Sequence, residues 1–155
     1  MSGPASVGEA SGLRTVEVAD LEACYPLMRQ LRPHLASLDE FRARWLRQSE
    51  SGYRGLALWV DGRPRALAGF RVLENFVHGR FLYVDDLVTD AGDRGRGHGE
   101  RLIARLKREG EALGCGKLVL DTGLDNALAH RFYYRQGLLA QALRFNLPLR
   151  RETAP

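Results

Sequence analysis

Apolar and polar positions recur along this chain with two different periods, and the changes of period divide it into elements. Residues 13–18 (LRTVEV) alternate with period two and read as a short strand. Leu21, Cys24, Met28 and Leu31 recur at helical spacing behind Asp20, which predicts a helix capped by Asp20 over about 21–32, with Pro26 inside it. Ser37 and Glu40 have the spacing of a capping box, and Leu38, Phe41 and Trp45 continue as the apolar face of a second helix to about residue 48. YRGLALWV (53–60) and RALAGFRVLE (65–74) are β-prone runs joined by Asp61-Gly62, a strong hairpin signal. RFLYVDDLV (80–88) follows a turn at His78-Gly79, so these three runs predict an antiparallel meander.

Downstream, Leu102, Ile103, Leu106, Gly110 and Leu113 share one face of an amphipathic helix over 99–113, which Gly114 stops. KLVLDT (117–122) reads as a short strand. Asp125 or Asn126 caps a helix that runs to Gln136 and ends at Gly137, and LLAQALRFNL (138–147) reads as a closing strand. The sum is an α/β chain of α+β type, with a mixed, mostly antiparallel sheet of about six strands flanked by helices.

Composition narrows the class. A chain of 155 residues, 45% apolar and 27% charged, has the size of one domain and the make-up of a globular protein. No apolar run approaches the ~20 residues that a membrane helix requires, so no membrane partner is expected. Residues 1–12 lack the basic start and apolar middle of a signal peptide, which predicts a disordered leader, a domain over 13–150 and a cytoplasmic location. Cys24 and Cys115 form neither a C-x-x-C pair nor a zinc spacing, so neither a metal nor redox chemistry is expected. A net charge of +4 is modest beside that of nucleic-acid binders, and its carriers are nearly all arginine, as a bacterial source of high GC content would produce.

The chemistry concentrates in RGRGHGERL (94–102), three glycines at alternate positions leading into a helix. A dinucleotide fingerprint would need glycine where Glu100 stands, and a P-loop would need the absent Gly-Lys-Ser/Thr. A strand, a compact glycine turn and a helix start aim backbone N–H groups and the positive helix end at one point, which suits a pyrophosphate, with Arg94 and Arg96 adding charge at the rim. An arginine-glycine segment for nucleic acid would need aromatic partners nearby, and none is present locally, so no nucleic-acid partner is expected.

Arg94, Gly97 and Gly99 occupy the fixed positions of a Q/R-x-x-G-x-G/A signature, and Asn126, Ala129, Phe132, Tyr133 and Gly137 stand in register with N-x-x-A-x-x-F-Y-x-x-x-G-F, Leu138 replacing its final Phe. Over residues 80–139 the chain thereby resembles the GNAT superfamily of N-acetyltransferases. The resemblance implies the GNAT fold and acetyl-CoA as co-substrate. It implies that Leu87, Val88 and Thr89 pair with the pantetheine arm, and that the backbone from Arg94 through Gly95, Arg96, Gly97, His98 and Gly99 to Glu100 holds the pyrophosphate. Asn126, Ala129 and Tyr133 complete the implied cofactor contacts.

Two proton problems attend acyl transfer to an amine: the amine must be neutral to attack, and the departing thiolate benefits from a proton. Tyr133 stands where the family places a general acid. For the base, the YVDDLV stretch (83–88) is similar to that of polyamine-type acetyltransferases and puts Asp85 in the position of a base or water relay, with Asp86 binding a substrate cation or steadying the loop. Successive strand residues point to opposite faces, so both carboxylates reach one site only across a bulge, which the family often has here. Glu74 and water are further candidates for the base. His130 shares a helix face with Tyr133 at i, i+3. The expected activity is direct transfer of acetyl to the primary amine of a small molecule or peptide; the alternative is a CoA-binding regulatory module without catalysis. Relatives pair through their terminal strands, so a homodimer is also expected.

Overall fold

The computed structural model describes residues 11–150, which fall into two compact units divided between Leu120 and Asp121. The leader expected over residues 1–12 lies outside the described residues as far as residue 10; Gly12 already opens a strand.

The first unit carries a five-stranded sheet in sequential order, β1 (Gly12–Thr15), β2 (Arg54–Val60), β3 (Arg63–Asn75), β4 (Gly79–Thr89) and β5 (Lys117–Leu120). The first four pair antiparallel and β5 joins β4 parallel. Asp61 and Gly62 have φ of 52° and 75°, both central residues of the β2–β3 turn being left-handed, as a hairpin that follows strand twist requires.

Helices α1 (Leu21–Leu31) and α2 (Leu38–Glu50) pack on one face of the sheet. Asp20 does not cap α1: its carboxylate takes two hydrogen bonds from Arg14 (2.8 and 3.1 Å) and one from the Glu17 N–H. That strand-to-helix ion pair outcompetes the local cap because Arg14 lies next to it in the fold. Ser37 does cap α2, accepting from Glu40 N–H, while the Glu40 side chain accepts from Ala36 N–H. On this face Leu21, Cys24, Leu27, Met28, Phe41 and Trp45 meet Ala57, Trp59, Leu67 and Val88. Helix α3 (His98–Ala112) covers the other face with Leu102, Ile103 and Leu106, all fully buried, each contributing about 1.5–3 kcal/mol by burial.

The second unit contains α4 (Ala127–Arg135). Asn126 is its cap, accepting from Ala129 N–H at 3.2 Å, and Gly137 (φ 89°) ends it in a Schellman arrangement, with Leu138 N–H bonded to the Tyr133 carbonyl and Gly137 N–H to that of Tyr134. The sixth strand expected over 138–147 is not formed. Leu143, Phe145 and Leu147 keep the period-two pattern but stand 63%, 89% and 80% exposed, and without a ladder partner alternation alone does not make a strand. The class of fold is as expected, with five strands among the described residues. No helix there is long and apolar enough to cross a membrane.

Candidate active site

The centre of the site is a defect in the sheet. Gly69 pairs with Asp86 and Phe70 with Val84, which leaves Asp85 as an extra residue on β4. Upstream of the bulge Leu82 faces α3, and downstream Val88 belongs to the core under α1 and α2. The bulge therefore reverses the parity of β4, so that adjacent Asp85 and Asp86 both point to the α1–α2 face.

Two glycines open that face. A Cβ on Gly69 would overlap the Tyr53 phenol, and one on Gly55 would overlap the indole of Trp45. With both absent, Phe41, Trp45 and Tyr53 stack edge-on above the sheet, Trp45 and Tyr53 with ring centroids 4.9 Å apart. The Tyr53 hydroxyl is thereby delivered to Asp86 Oδ2 at 2.8 Å. Arg32, just past α1, donates Nε to Asp86 Oδ1 (3.0 Å) and Nη2 to the Asp85 carbonyl (3.0 Å), so both oxygens of Asp86 are engaged. Arg71 on β3 binds Asp85 Oδ2 (3.0 Å) and Gln48 of α2 (2.8 Å) and lies over the Tyr53 ring.

Asp85 and Asp86 form part of the wall of a cavity of about 290 Å³ between the bulge and the helices, to which Arg32, His34, Arg44 and Trp45 also contribute. Burial pushes the Asp85 carboxyl above its ordinary value, and the Asp86 charge adds to this against the opposing pull of Arg71. Burial, and then the adjacent Asp86, likewise drive the Tyr53 phenol well above 10, so it serves as a proton donor to Asp86 at neutral pH. Glu74 is not brought here. It is exposed and pairs with Arg80, five residues along β3 from Gly69 and so about 16 Å away.

Past the bulge, β4 continues through Leu87, Val88 and Thr89, paired with β3 on one side, while β5 pairs only with Phe81–Val84 on the other. The strand edge at 85–89 is thus left open by β5, and its backbone can add an extended, amide-bearing ligand. The chain next turns through Asp90, whose side chain accepts from Gly92 N–H, and reaches the glycine segment. Gly95 (φ 81°) and Gly97 (φ 79°) are left-handed, and a Cβ on either would meet nothing within 4 Å, so these glycines are demanded by the backbone and border open space. Gly97 is the N-cap of α3 and lacks a capping side chain, and Gly99 and Glu100 lie in the first helical turn. An uncapped helix start behind two left-handed glycines fits a pyrophosphate.

Asp93 organises this turn. It is 9% exposed, with Arg65 at 3.6 Å, Arg96 at 3.9 Å and His98 at 3.4 Å. The His98 ring therefore has a structural partner, whereas Arg94 is exposed. In the second unit Asn126 and Ala129 are joined by the cap of α4. Burial raises the Tyr133 phenol above 10, and His130 Nε2 lies 2.8 Å from the Gly123 carbonyl. Cys24 is buried and its thiol pushed up to about 12, which leaves it without nucleophilic thiolate at neutral pH. Among the described residues no group of three or more His, Cys, Asp or Glu is placed to hold a metal ion.

Arg32, Gln48, Tyr53 and Arg71 were not singled out by sequence, because their contacts with the bulge span 14 to 54 residues or run through one another. The only local traces are Gly55 and Gly69, glycines inside otherwise regular strands.

An open strand edge running into an uncapped glycine turn, beside a cavity walled by two carboxylates, has the features that the resemblance to the GNAT superfamily implies for a transferase taking its group from a CoA thioester. The chain matches the acetyltransferase (GNAT) family over residues 17–138 and belongs to that family. It is 35% identical over 122 residues to glucosamine 6-phosphate N-acetyltransferase 1 of Oryza sativa subsp. japonica, covering 74% of each chain. It is 32% identical over 128 residues to the uncharacterized N-acetyltransferase YhdJ of Bacillus subtilis, covering 81% of this chain and 89% of that one. Its fold is shared with the aminoglycoside N-acetyltransferase AAC(6')-Iy, solved with CoA, at a TM-score of 0.75 and 21% identity over 90% and 93% of the two chains. The protein is an acetyl-CoA-dependent N-acetyltransferase.

Proposed function

We propose that the protein transfers acetyl from acetyl-CoA to the primary amine of a small molecule or peptide by direct attack, with Asp85 at the acceptor and Tyr133 at the leaving group. The observation that carries the acceptor side is the bulge, which turns Asp85 and Asp86 into one cavity. The rice relative is named for an amino sugar phosphate, and AAC(6')-Iy for aminoglycosides, both of them amines. Acetyl-CoA brings an acyl group activated as its thioester. Leu87, Val88 and Thr89 bind its pantetheine arm through the open edge of β4, and the N–H groups around Arg94–Glu100 bind its pyrophosphate. Glu100 contributes backbone only, its side chain being of the wrong sign.

Asp85 takes a proton from the acceptor ammonium, directly or through water, so that the neutral nitrogen attacks. The Val88 N–H stabilises the charge that grows on the carbonyl oxygen. A C–N bond forms, the C–S bond breaks, and Tyr133 gives its proton to the departing thiolate. Asp86 is the support of this arrangement, since Arg32 and Tyr53 already occupy both of its oxygens. Residence in a bacterial cytoplasm is part of this reading, supported by the arginine-rich composition. So is a homodimer, supported by the exposed apolar row of Leu143, Phe145, Leu147 and Leu149.

Calorimetry with acetyl-CoA and a CoA-release assay over a panel of amines test the proposal together. Saturable binding and amine-dependent release are expected, and absence of acetyl-CoA binding would overturn it. Gly97→Ala forces a side chain into a left-handed position at a cost of about 1–2 kcal/mol to the folded chain and puts a methyl into the open space of the turn, so we expect a lower melting temperature together with weaker acetyl-CoA binding in the same titration.

A further inference from the structure

The acceptor cavity separates charge along its depth. Asp85 and Asp86 lie at the sheet, with side chains only 21% and 14% exposed. Arg32 and Arg44 line the same cavity from the helical side, each 43% exposed, and exposed His34 stands beside them. Neither carboxylate is a free anion, because Arg71 binds Asp85 and Arg32 binds Asp86. The cavity therefore offers no net negative well to a polycation, whose second and third ammonium groups would meet Arg44 and Arg32. The cationic rim, by contrast, has capacity to spare. Among the described residues Arg44 is tied only to Glu40, one helical turn earlier, through a half-buried contact of 3.3 Å, and an i, i+4 pair within one helix is weak enough to exchange partners at little cost. The Glu40 carboxylate also keeps the Ala36 N–H when Arg44 leaves it.

From this we infer that the natural acceptor is a small amine that also carries an anionic oxygen group, phosphate or carboxylate, with the amine at Asp85 and the anion at Arg44, His34 and the outer edge of Arg32. The inference rests on the assignment of this cavity to the acceptor. It departs from the reading in which Asp86 binds a substrate cation, since both carboxylates are already matched by arginines. The volume of about 290 Å³ lies at the low end for small-molecule sites, which suits an amino acid or an amino sugar phosphate.

Matched acceptors test it: 2-aminoethyl phosphate against ethanolamine, β-alanine against 3-aminopropanol, glucosamine 6-phosphate against glucosamine, with spermidine as the polycation. We expect at least one anionic member to exceed its neutral partner by about tenfold or more in kcat/KM, as a charge-assisted contact provides. Which pair shows the preference distinguishes phosphate from carboxylate. Arg44→Gln, at a half-buried position on the cavity wall, is expected to bring that ratio towards one chiefly through KM, and Arg44→Lys to restore part of it. Equal use of charged and neutral partners, a preference for spermidine, or a ratio untouched by Arg44→Gln would overturn the inference while acetyl transfer itself stands. Failure to acetylate any of these amines, with acetyl-CoA binding intact by calorimetry, would overturn both the inference and the assignment of the cavity. Absence of acetyl-CoA binding would overturn the function on which both depend.

Discussion

Replacing Tyr133 by phenylalanine is expected to lower kcat by about 10²- to 10⁴-fold, the usual worth of a positioned general acid, while calorimetry still registers acetyl-CoA binding. Burial raises the Tyr133 phenol above 10, so at neutral pH it holds its proton, as the proposed acid must. The substitution leaves the ring and its tilted contact with Phe132 (centroids 5.4 Å apart), and it does not disturb the Asn126 cap or the Gly137 stop that define α4. What disappears is one hydroxyl. The sign of the pH effect follows: an ionised phenol cannot donate, so the wild-type rate should fall as pH rises through the raised phenol value, and that alkaline limb should vanish from the Tyr133→Phe profile. An unchanged kcat in the variant would remove Tyr133 as the acid and leave the thiolate to depart unprotonated.

The parts of this protein that sequence makes legible are those fixed by contacts between near neighbours. Asp61-Gly62 dictates its turn, Ser37 and Asn126 cap the helices that follow them, and the left-handed glycines at 95 and 97 announce a backbone that no other residue adopts cheaply. Where expectation failed, a distant group won. Asp20 gave up its capping role to Arg14, six residues back but adjacent in the fold, and 138–147 has the alternation of a strand but no ladder to join. Adjacency of Asp85 and Asp86 in the chain did not say whether they share a face. Only the pairing of β3 with β4 decides that, and the glycines at 55 and 69 become intelligible once the rings of Trp45 and Tyr53 lie over them.

Asp85→Asn is the second large effect: kcat/KM is expected to fall by about 10²- to 10³-fold at neutral pH, because asparagine fills the same space but accepts no proton. Arg71 makes this test more discriminating. Burial raises Asp85 and Arg71 opposes the rise, so removing the guanidinium in Arg71→Gln should move the acid limb of the kcat/KM profile further up, with activity lost at a higher pH than in the wild type. A purely structural Asp85 would not move that limb. Stability runs the other way. A carboxyl whose folded value is raised contributes stability that is present below its ordinary value near 3.8 and is lost as pH rises through the raised value, so at neutral pH the buried charge weighs against the fold. Asp85→Asn should therefore melt no lower than the wild type at pH 7 wherever Arg71 keeps its bond to Gln48. A variant that loses activity without losing stability would mark Asp85 as a group kept for proton transfer at the expense of the sheet that carries it.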